Sequence, residues 1–378
     1  MISKRLENIT SFIVMDVLEK ANTMERQGIN IIHLEVGEPD FEAPECVKDA
    51  AYKALKKGQT HYTHSLGLFD LRFEISEHYR KTYGVNVSPD QVVITSGTSP
   101  AMLLMFAVLL DTGDEVIVSD PHYACYPNFI RFMQGEPVTI PVYEEEGFQY
   151  RPSAIAEKIT DKTKAIMINS PSNPTGNLLS KERMKEIASL GPLIMSDEIY
   201  HGLVYEGKEH SILEFTDKAF VLNGFSKLYA MTGLRLGYLI APTEFIRPIQ
   251  KLQQNFFISA NSTVQIAGIA ALKYAENDIA NMKKIYNERR KYMISRLKKM
   301  GFGITVEPTG AFYVFVNAKH ISKNSYNLAF DILEKAHIGV TPGIDFGKNG
   351  EGYLRFSYAN SMENIEEGMN RLENYLTL

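Results

Sequence analysis

The chain has 378 residues, of which 44% are hydrophobic and 22% charged, and its formal net charge is −5 with a pI of about 6.0. This composition is typical of a globular protein with enough chain for two domains, and it lacks the basic excess that would indicate nucleic-acid binding. The two cysteines, Cys46 and Cys125, are too few for a disulfide framework or a cysteine-based zinc site, and we expect no bound metal.

The N-terminal residues lack the apolar core and the small-residue cleavage site of a signal peptide. The longest apolar run, residues 101–110, is shorter than the roughly 20 residues that a helix needs to cross a bilayer. We therefore expect a cytoplasmic protein that contacts neither a membrane nor nucleic acid.

Short β-branched runs alternate with helical patterns over the first two thirds of the chain. The strands that these runs predict, in chain order, lie within residues 91–97, 115–123, 164–176, 192–200, 219–227 and 235–242. Because the strands are apolar without alternation and are separated by helices, they predict an α/β fold. Its sheet would be mainly parallel and covered on both faces.

The C-terminal third has a different pattern. One long helical pattern covers about residues 263–299, and antiparallel strands are predicted within 310–317 and 351–359. This pattern predicts a smaller α+β domain, against which the N-terminal segment would pack. The predicted boundaries are 43–285 for the large domain, with 1–42 and 286–378 together forming the small domain.

Polar side chains follow the predicted strands of the large domain. Ligands of open parallel sheets bind beyond the carboxyl ends of the strands, so these residues predict one site. They are small donors, an aromatic ring, an amide, a carboxylate, a phenol and an amine: Ser96, Gly97, Thr98, Tyr123, Asn173, Asp197, Tyr200, Ser226 and Lys227.

Lys227 and Asp197 carry the chemistry of this set. A lysine at a strand end is usually a solvated cation, but the apolar neighbours of Lys227 would depress its pKa and make the amine a nucleophile toward carbonyls. Asp197 could be a helix N-cap, or a buried carboxylate that keeps a ring nitrogen protonated, as pyridoxal phosphate requires. The adjacent Glu198 fits that role less well and is interpreted as structural.

Two arginines complete the candidate site. Arg355 lies at the centre of a C-terminal strand, where it could form a structural ion pair or a bidentate clamp for a carboxylate. Arg235 follows a glycine turn. Residues 96–99 open a helix whose N-terminus could bind phosphate, although the chain has no dinucleotide or Walker-type fingerprint. The proline-rich turn at 170–176 would fix the Asn173 amide.

The order and spacing of these residues resemble those of the class I/II aminotransferases of pyridoxal-phosphate fold type I. Within that family, the chain is most similar to the shorter-chain branch of the aspartate aminotransferase superfamily. The resemblance extends over essentially the whole chain. The motifs that carry it are Gly37-Glu38-Pro39-Asp40-Phe41, Tyr62-Thr63 with Gly67 and Leu71-Arg72, Thr95-Ser96-Gly97, Asn173-Pro174-Thr175-Gly176, Asp197-Glu198-Ile199-Tyr200, Ser226-Lys227, Gly233-Leu234-Arg235-Leu236-Gly237 and Arg355.

The resemblance implies a seven-stranded-type sheet, bound pyridoxal 5'-phosphate and a homodimer with the active site at its interface. The implied catalytic residues are Lys227, which would form the internal aldimine and move the substrate α-proton, together with Asp197 and Tyr200. The implied cofactor contacts are Ser96, Gly97, Thr98, Tyr123, Asn173, Asp197, Tyr200, Ser226, Lys227 and Arg235, with Tyr62 reaching the phosphate from the other subunit. The implied substrate contacts are Gly37, Tyr123, Asn173 and Arg355.

Two positions depart from the family pattern. Gly224 stands where many relatives have a serine that donates to the phosphate, and whether Ser226 replaces that donor stays open. Leu234 stands where a tryptophan is common, and we expect only a change in packing there.

The predicted reaction is a ping-pong transfer of an amino group from an L-amino acid to a 2-oxo acid. A related lyase, such as a carbon–sulfur β-lyase or an aminocyclopropane-carboxylate-synthase-like enzyme, would use the same residues. A non-catalytic regulator is a further alternative, which the complete residue set disfavours.

The amino donor stays open among aspartate, aromatic, branched-chain and alanine specificities, and the acceptor and any assembly beyond a dimer stay open as well. No second arginine can be assigned to a distal carboxylate, and aspartate is favoured only as the commonest label in the family. Phe12, Ile13 and Met15 could line a side-chain pocket or form a helix packing face.

Overall fold

The computed structural model describes residues 2–377. Its strands are β1 Ile32–His33, β2 Val92–Thr95, β3 Glu115–Asp120, β4 Glu136–Pro141, β5 Thr163–Asn169, β6 Leu193–Asp197, β7 Ala219–Gly224, β8 Gly237–Ile240, β9 Tyr313–Asn317, β10 Ile338–Gly339, β11 Thr341–Pro342 and β12 Tyr353–Ser357.

Helices surround these strands and connect them. They are α1 Ile13–Glu25, α2 Glu45–Lys56, α3 Phe69–Tyr83, α4 Thr98–Leu109, α5 Tyr126–Phe132, α6 Pro152–Ala156, α7 Lys181–Ala188, α8 Thr243–Phe256, α9 Ser262–Tyr274, α10 Glu276–Lys299, α11 Ser325–Ala336 and α12 Met362–Leu376.

The main sheet has seven strands in the order β2-β8-β7-β6-β5-β3-β4. Only β8 is antiparallel to its neighbours, which confirms the prediction of a mainly parallel sheet. Successive residues enter two different cores: Val92 and Ile94 pack with α2, α3 and α9, whereas Val93 packs with α4 and α8. The strands lack alternation in sequence because both faces of the sheet are buried.

The edge strand β4 was not predicted from the sequence. It begins at Glu136 and ends at Pro141, with several residues partly or fully exposed. Strands at an edge have one solvated side and tolerate proline, so β4 lacks the apolar run by which the other strands were recognised.

The prediction of one long helix over residues 263–299 was wrong. The chain forms α9 and α10 instead, and Ala275 between them has φ −90° and ψ 10°. The two helices belong to different packing environments, because α9 packs against α2 and α3 while α10 packs against α12 and β9.

The C-terminal third forms an antiparallel sheet in the order β11-β12-β9, as predicted for β9 and β12. The N-terminal strand β1 pairs in parallel with β10, joining Ile32 to Ile338. This pairing supports the proposal that residues 1–42 and 286–378 form one domain and 43–285 the other.

The carboxyl ends of β5, β6 and β7 lie at one edge of the main sheet. Because β8 is antiparallel to β7, the chain enters β8 at this same edge, where Gly224 and Gly237 are paired. The topology therefore explains why Lys227 follows a strand while Arg235 precedes one, and yet both reach the same place.

Candidate active site

A cavity of about 430 Å³ opens at this edge of the sheet, between it and the C-terminal strands. Most of the predicted site residues line it. They are Gly37, Thr98, Tyr123, Asn173, Asp197, Tyr200, Ser226, Lys227, Arg235 and Arg355.

Three predicted cofactor residues do not line the cavity. Gly97 lies beneath it, and a Cβ atom at this position would stand 2.6 Å from Nη2 of Arg235. Ser96 is partly buried outside the cavity wall. Tyr62 is 81% exposed and does not line the cavity of its own chain.

Lys227 projects its amine into the cavity from the turn after β7. Its Nζ donates a 2.6 Å hydrogen bond to the main-chain carbonyl of Gly37. Burial lowers the pKa of Lys227 to about 8, an effect that Glu38 opposes and that Arg355 and Arg235 reinforce. A substantial fraction of this amine is therefore neutral near physiological pH.

Asp197, the last residue of β6, is 5% exposed. The Tyr126 hydroxyl donates to its Oδ2 at 2.6 Å, and the Ile199 amide donates to its Oδ1 at 3.2 Å. Burial raises the pKa of Asp197 to about 6, because these neutral donors offset only part of the desolvation. Such a carboxylate would be stabilised by a cation in the cavity.

Arg355 in β12 has neutral hydrogen-bond partners, in contrast to the ion pair that the sequence left open. Its Nη1 donates to Oδ1 of Asn173 at 2.8 Å, and its Nη2 donates to the carbonyl of Glu35 at 2.6 Å and to Oγ1 of Thr341 at 3.1 Å. Among the described residues, no carboxylate is hydrogen-bonded to this guanidinium, so its charge is available to an anion.

Aromatic rings hold the Arg355 guanidinium from two sides. The ring centres of Tyr313 and Phe346 lie 4.3 and 4.9 Å from its central carbon. Its buried Nε has no hydrogen-bond partner in the protein. A buried donor without a partner is costly, so the site is suited to a ligand that accepts from it.

Asn173 and Tyr200 are oriented by neighbours. Because the Asn173 carboxamide oxygen accepts from Arg355, its NH2 group is the part free to donate into the cavity. The Tyr200 and Tyr313 hydroxyls are hydrogen-bonded at 2.9 Å. Tyr123 makes an edge contact with the Tyr126 ring at 5.3 Å between centres.

Groups able to bind an anion lie where β8 approaches the start of α4. Gly97 caps α4 without a side-chain hydrogen bond, so amides of the first turn remain available. A Cβ on Gly237 would lie 2.7 Å from the carbonyl carbon of Gly97, and this close approach brings Arg235 beside the helix. Arg235 is held by a 2.9 Å bond from Nη1 to the carbonyl of Thr232.

Gly224 cannot easily be replaced by the serine that many relatives carry. A Cβ there would stand 3.0 Å from both the Gly237 Cα and the Leu236 carbonyl. Ser226 lines the cavity and Gly224 does not, so Ser226 can supply a hydroxyl there, as can Thr98 and Ser99 at the start of α4.

The N-terminal helix contributes an apolar wall. Phe12 and Met15 line the cavity as the sequence suggested, but Ile13 does not, and Val14 and Leu18 join the wall instead.

Several residues that contact the predicted site residues were not identified from the sequence. Asn169 ends β5 and accepts a 2.7 Å bond from the Asn173 amide, so the strand-end argument could have found it. Tyr126, Tyr313 and Thr341 lie within helices or strands and give no local signal of their contacts.

The residues present fit pyridoxal phosphate. Asp197 is a buried carboxylate to which no basic side chain of the described residues is hydrogen-bonded, Lys227 is an amine of lowered pKa facing the cavity, and Arg235 adjoins a free helix N-terminus. These groups suit a protonated ring nitrogen, an aldehyde and a phosphate.

Comparisons with known proteins agree with this arrangement. The family model "Aminotransferase class I and II" matches residues 29–372. The chain is 44% identical to a (5-formylfuran-3-yl)methyl phosphate transaminase of Methanocaldococcus jannaschii, covering 100% of both chains. It is 42% identical to an aspartate aminotransferase of Pyrococcus horikoshii, covering 99% of this chain and 97% of the relative.

A solved structure of Thermus thermophilus aspartate aminotransferase with maleate has 34% sequence identity and a TM-score of 0.95, covering 99% of both chains. In the described residues, no helix is long and apolar enough to span a membrane. The chain belongs to the class I and II aminotransferases, a family of pyridoxal-phosphate-dependent enzymes, and it is a transaminase.

Proposed function

We propose that this transaminase moves the amino group of an L-amino acid to a 2-oxo acid in the cavity at the sheet edge, by a ping-pong route with Lys227 as the catalytic base. The observation that carries this proposal is the convergence on one cavity of Asp197 from the end of β6, Lys227 from the turn after β7 and Arg355 from β12.

When bound, pyridoxal phosphate supplies an electron sink for negative charge at the substrate α-carbon. Asp197 would keep the ring nitrogen protonated, and this pairing would offset the burial that raises its pKa. The free NH2 group of Asn173 and the hydroxyl of Tyr200 would donate to the ring oxygen, while Tyr123 would pack against the ring.

Lys227 would accept the proton from the substrate α-carbon at Nζ and donate it to the cofactor within the same half-reaction, and it would move a proton in the reverse direction in the second half-reaction. A base must be neutral to accept a proton, and the lowered pKa of about 8 supports this role. Its bond to the Gly37 carbonyl holds the amine near the position where the substrate would lie.

Arg355 would bind the substrate α-carboxylate, helped by Gly37. Its unpartnered Nε supports this assignment, and the flanking rings would keep the guanidinium in place. Arg235 and the N-terminus of α4, at Gly97 and Thr98, would hold the phosphate. Ser226 is proposed to add its hydroxyl, whereas the structure offers no contact for Ser96.

We also propose a homodimer in which Tyr62 of each subunit reaches the active site of the other. Tyr62, Phe256 and Ile258 are 81%, 64% and 48% exposed. Their segments are joined by a hydrogen bond from the Thr63 amide to Ser259 Oγ. An exposed aromatic and aliphatic patch of this kind supports an interface.

A cytoplasmic location is proposed from the low cysteine content, and both cysteines are free.

The names of the relatives are those of transaminases, and they do not favour the lyase alternative. The same relatives carry names with different substrates, so the donor must be inferred from the cavity itself.

Replacement of Lys227 tests the proposal. Lys227→Ala is expected to lower the transamination rate by about 10²- to 10⁴-fold, the usual contribution of a positioned base. Oxo-acid formation in steady state measures this loss. Lys218→Ala is the control, because Lys218 is exposed at the other end of the same strand region.

Borohydride reduction of the holoenzyme should also leave the cofactor attached to the peptide that contains Lys227, as mass spectrometry would show. Normal turnover by Lys227→Ala, or attachment at another lysine, would refute the assignment.

A further inference from the structure

We propose that the side-chain subsite of this transaminase selects amino donors with uncharged, apolar side chains and disfavours dicarboxylic ones such as aspartate and glutamate. This inference rests on the proposed function and names its substrate class. It follows from the charged groups that line the cavity and from the roles that the proposed reaction already assigns to them.

The cavity has few cations. Among the described residues that line it, Lys227, Arg235 and Arg355 are the basic ones. In the proposed reaction, Lys227 is the base, Arg235 faces the phosphate and Arg355 takes the α-carboxylate. A dicarboxylic substrate would bring a second carboxylate, for which the described residues that line the cavity offer no further guanidinium or ammonium group.

A helix N-terminus could in principle replace such a cation, and α1 begins beside the cavity. However, the Asp345 carboxylate already accepts from the amides of Ile13 and Val14, at 2.9 and 3.2 Å. This contact occupies the free donors of the first turn and places a negative charge there. The N-terminus of α1 is therefore unavailable to a distal carboxylate.

An anionic side chain also lines the cavity. Glu38 accepts a hydrogen bond from the Thr232 hydroxyl, and its charge acts on the amine of Lys227. The negative potential of Glu38 thus reaches the reacting region. A second carboxylate on the substrate would meet this potential, whereas an uncharged side chain would not.

The part of the wall that α1 contributes is apolar. Phe12, Val14, Met15 and Leu18 line the cavity from α1 and the residue before it, and Met102 lines it from α4. Val14 and Leu18 are four residues apart and share one helix face. Met15 is 52% exposed, so an apolar substrate side chain could cover surface that is now open.

The proposed partner subunit is not expected to add a lysine or arginine to the cavity. The segments that carry the exposed residues Tyr62 and Phe256, residues 59–68 and 256–264, contain no lysine or arginine. A dimer built through these segments would therefore close the site without adding a permanently charged cation.

The test uses the half-reaction of the holoenzyme with donor alone, followed by the change in cofactor absorbance, so that no acceptor has to be assumed. L-leucine, L-methionine and L-phenylalanine would be compared with L-aspartate and L-glutamate. We expect the best apolar donor to exceed both dicarboxylic donors in kcat/KM by at least about 100-fold, given the cost of like-charge contacts in a partly buried site.

A preference for aspartate or glutamate, or equal use of both classes, would overturn the subsite proposal while leaving transamination intact. If no amino acid converts the holoenzyme, the proposed function itself fails, and this inference fails with it.

Glu38→Gln gives a second measurement. Removing this charge should raise the kcat/KM ratio of aspartate to phenylalanine by about tenfold, because one unfavourable carboxylate contact is lost. Glu19→Gln is the control, since Glu19 is exposed on α1 and does not line the cavity, and its ratio should equal that of the wild type. An unchanged ratio in Glu38→Gln would overturn the role assigned to Glu38.

Discussion

Asp197 and Glu198 are neighbours in the chain and both are buried carboxylates, yet they belong to different regions of the molecule. Asp197 contacts Tyr126 and faces the cavity. Glu198 points to the opposite core, where Tyr79, Ser196, Ser211 and the Ile212 amide all donate to it.

Burial raises the pKa of both groups, to about 6 for Asp197 and about 7 for Glu198. The shifted pKa therefore does not distinguish a reactive carboxylate from a structural one. The surroundings do so, since Glu198 is surrounded by four donors while Asp197 adjoins an open cavity that also contains Lys227. The comparison supports the structural interpretation of Glu198.

Between the two carboxylates, the larger effect on activity is expected from Asp197→Asn. Loss of the charge that would hold the ring nitrogen protonated should lower the transamination rate by about 10²- to 10³-fold. Steady-state kinetics with saturating cofactor would measure this loss. A rate within a few-fold of wild type would show that transamination does not need the charge of Asp197, and would contradict the difference drawn between Asp197 and Glu198.

The same variant has a stability control. The raised pKa means that Asp197 favours folding when it is protonated; this contribution is complete below pH 3.8 and is lost as the pH rises through about 6. Thermal melting of the apoenzyme at neutral pH should thus not be lowered by Asp197→Asn. A large loss of apoenzyme stability would instead give Asp197 a structural role.

An intermediate effect concerns the amine opposite Asp197. In the apoenzyme, Lys227 should titrate near pH 8, because burial lowers its pKa. The pH dependence of its modification by an amine-specific reagent, resolved by peptide mass spectrometry, would measure this pKa.

The sign of the linked stability follows from the lowered pKa of Lys227. The folded state binds fewer protons than the unfolded state between the two pKa values, so this residue's contribution to stability increases as the pH rises above about 8. A modification profile of Lys227 without a midpoint near pH 8 would contradict the lowered pKa.

The smallest effect on activity is expected from Glu198→Ala. Its four donors would lose their buried acceptor, and the free energy of unfolding should fall by about 3 kcal/mol. Activity per folded molecule should change less than in Asp197→Asn. Chemical denaturation and kinetics on the same preparation would separate the two effects, with Glu198→Gln as the conservative variant. A larger activity loss than in Asp197→Asn would reverse the comparison.

Much of the fold and of the site was predictable because it depends on local pattern. Six strands of the main sheet were recognised from apolar runs, and the polar residues that follow them were recognised from their position. The ordered motifs around Asn173, Asp197 and Lys227 indicated the family, since the chemistry requires those side chains at strand ends.

What the sequence determined by itself was therefore the fold class, the family and the groups that could react. The tertiary structure decided which distant groups meet: Arg355 reaches Asn173 across 182 positions, Tyr126 reaches Asp197 across 71, and α1 is capped by Asp345. It also divided the helical pattern at Ala275 and excluded Ser96 from the cavity. The apolar periodicity of a segment indicates which of its own faces is buried. The contacts between distant groups depend instead on the order and direction in which separate segments pack.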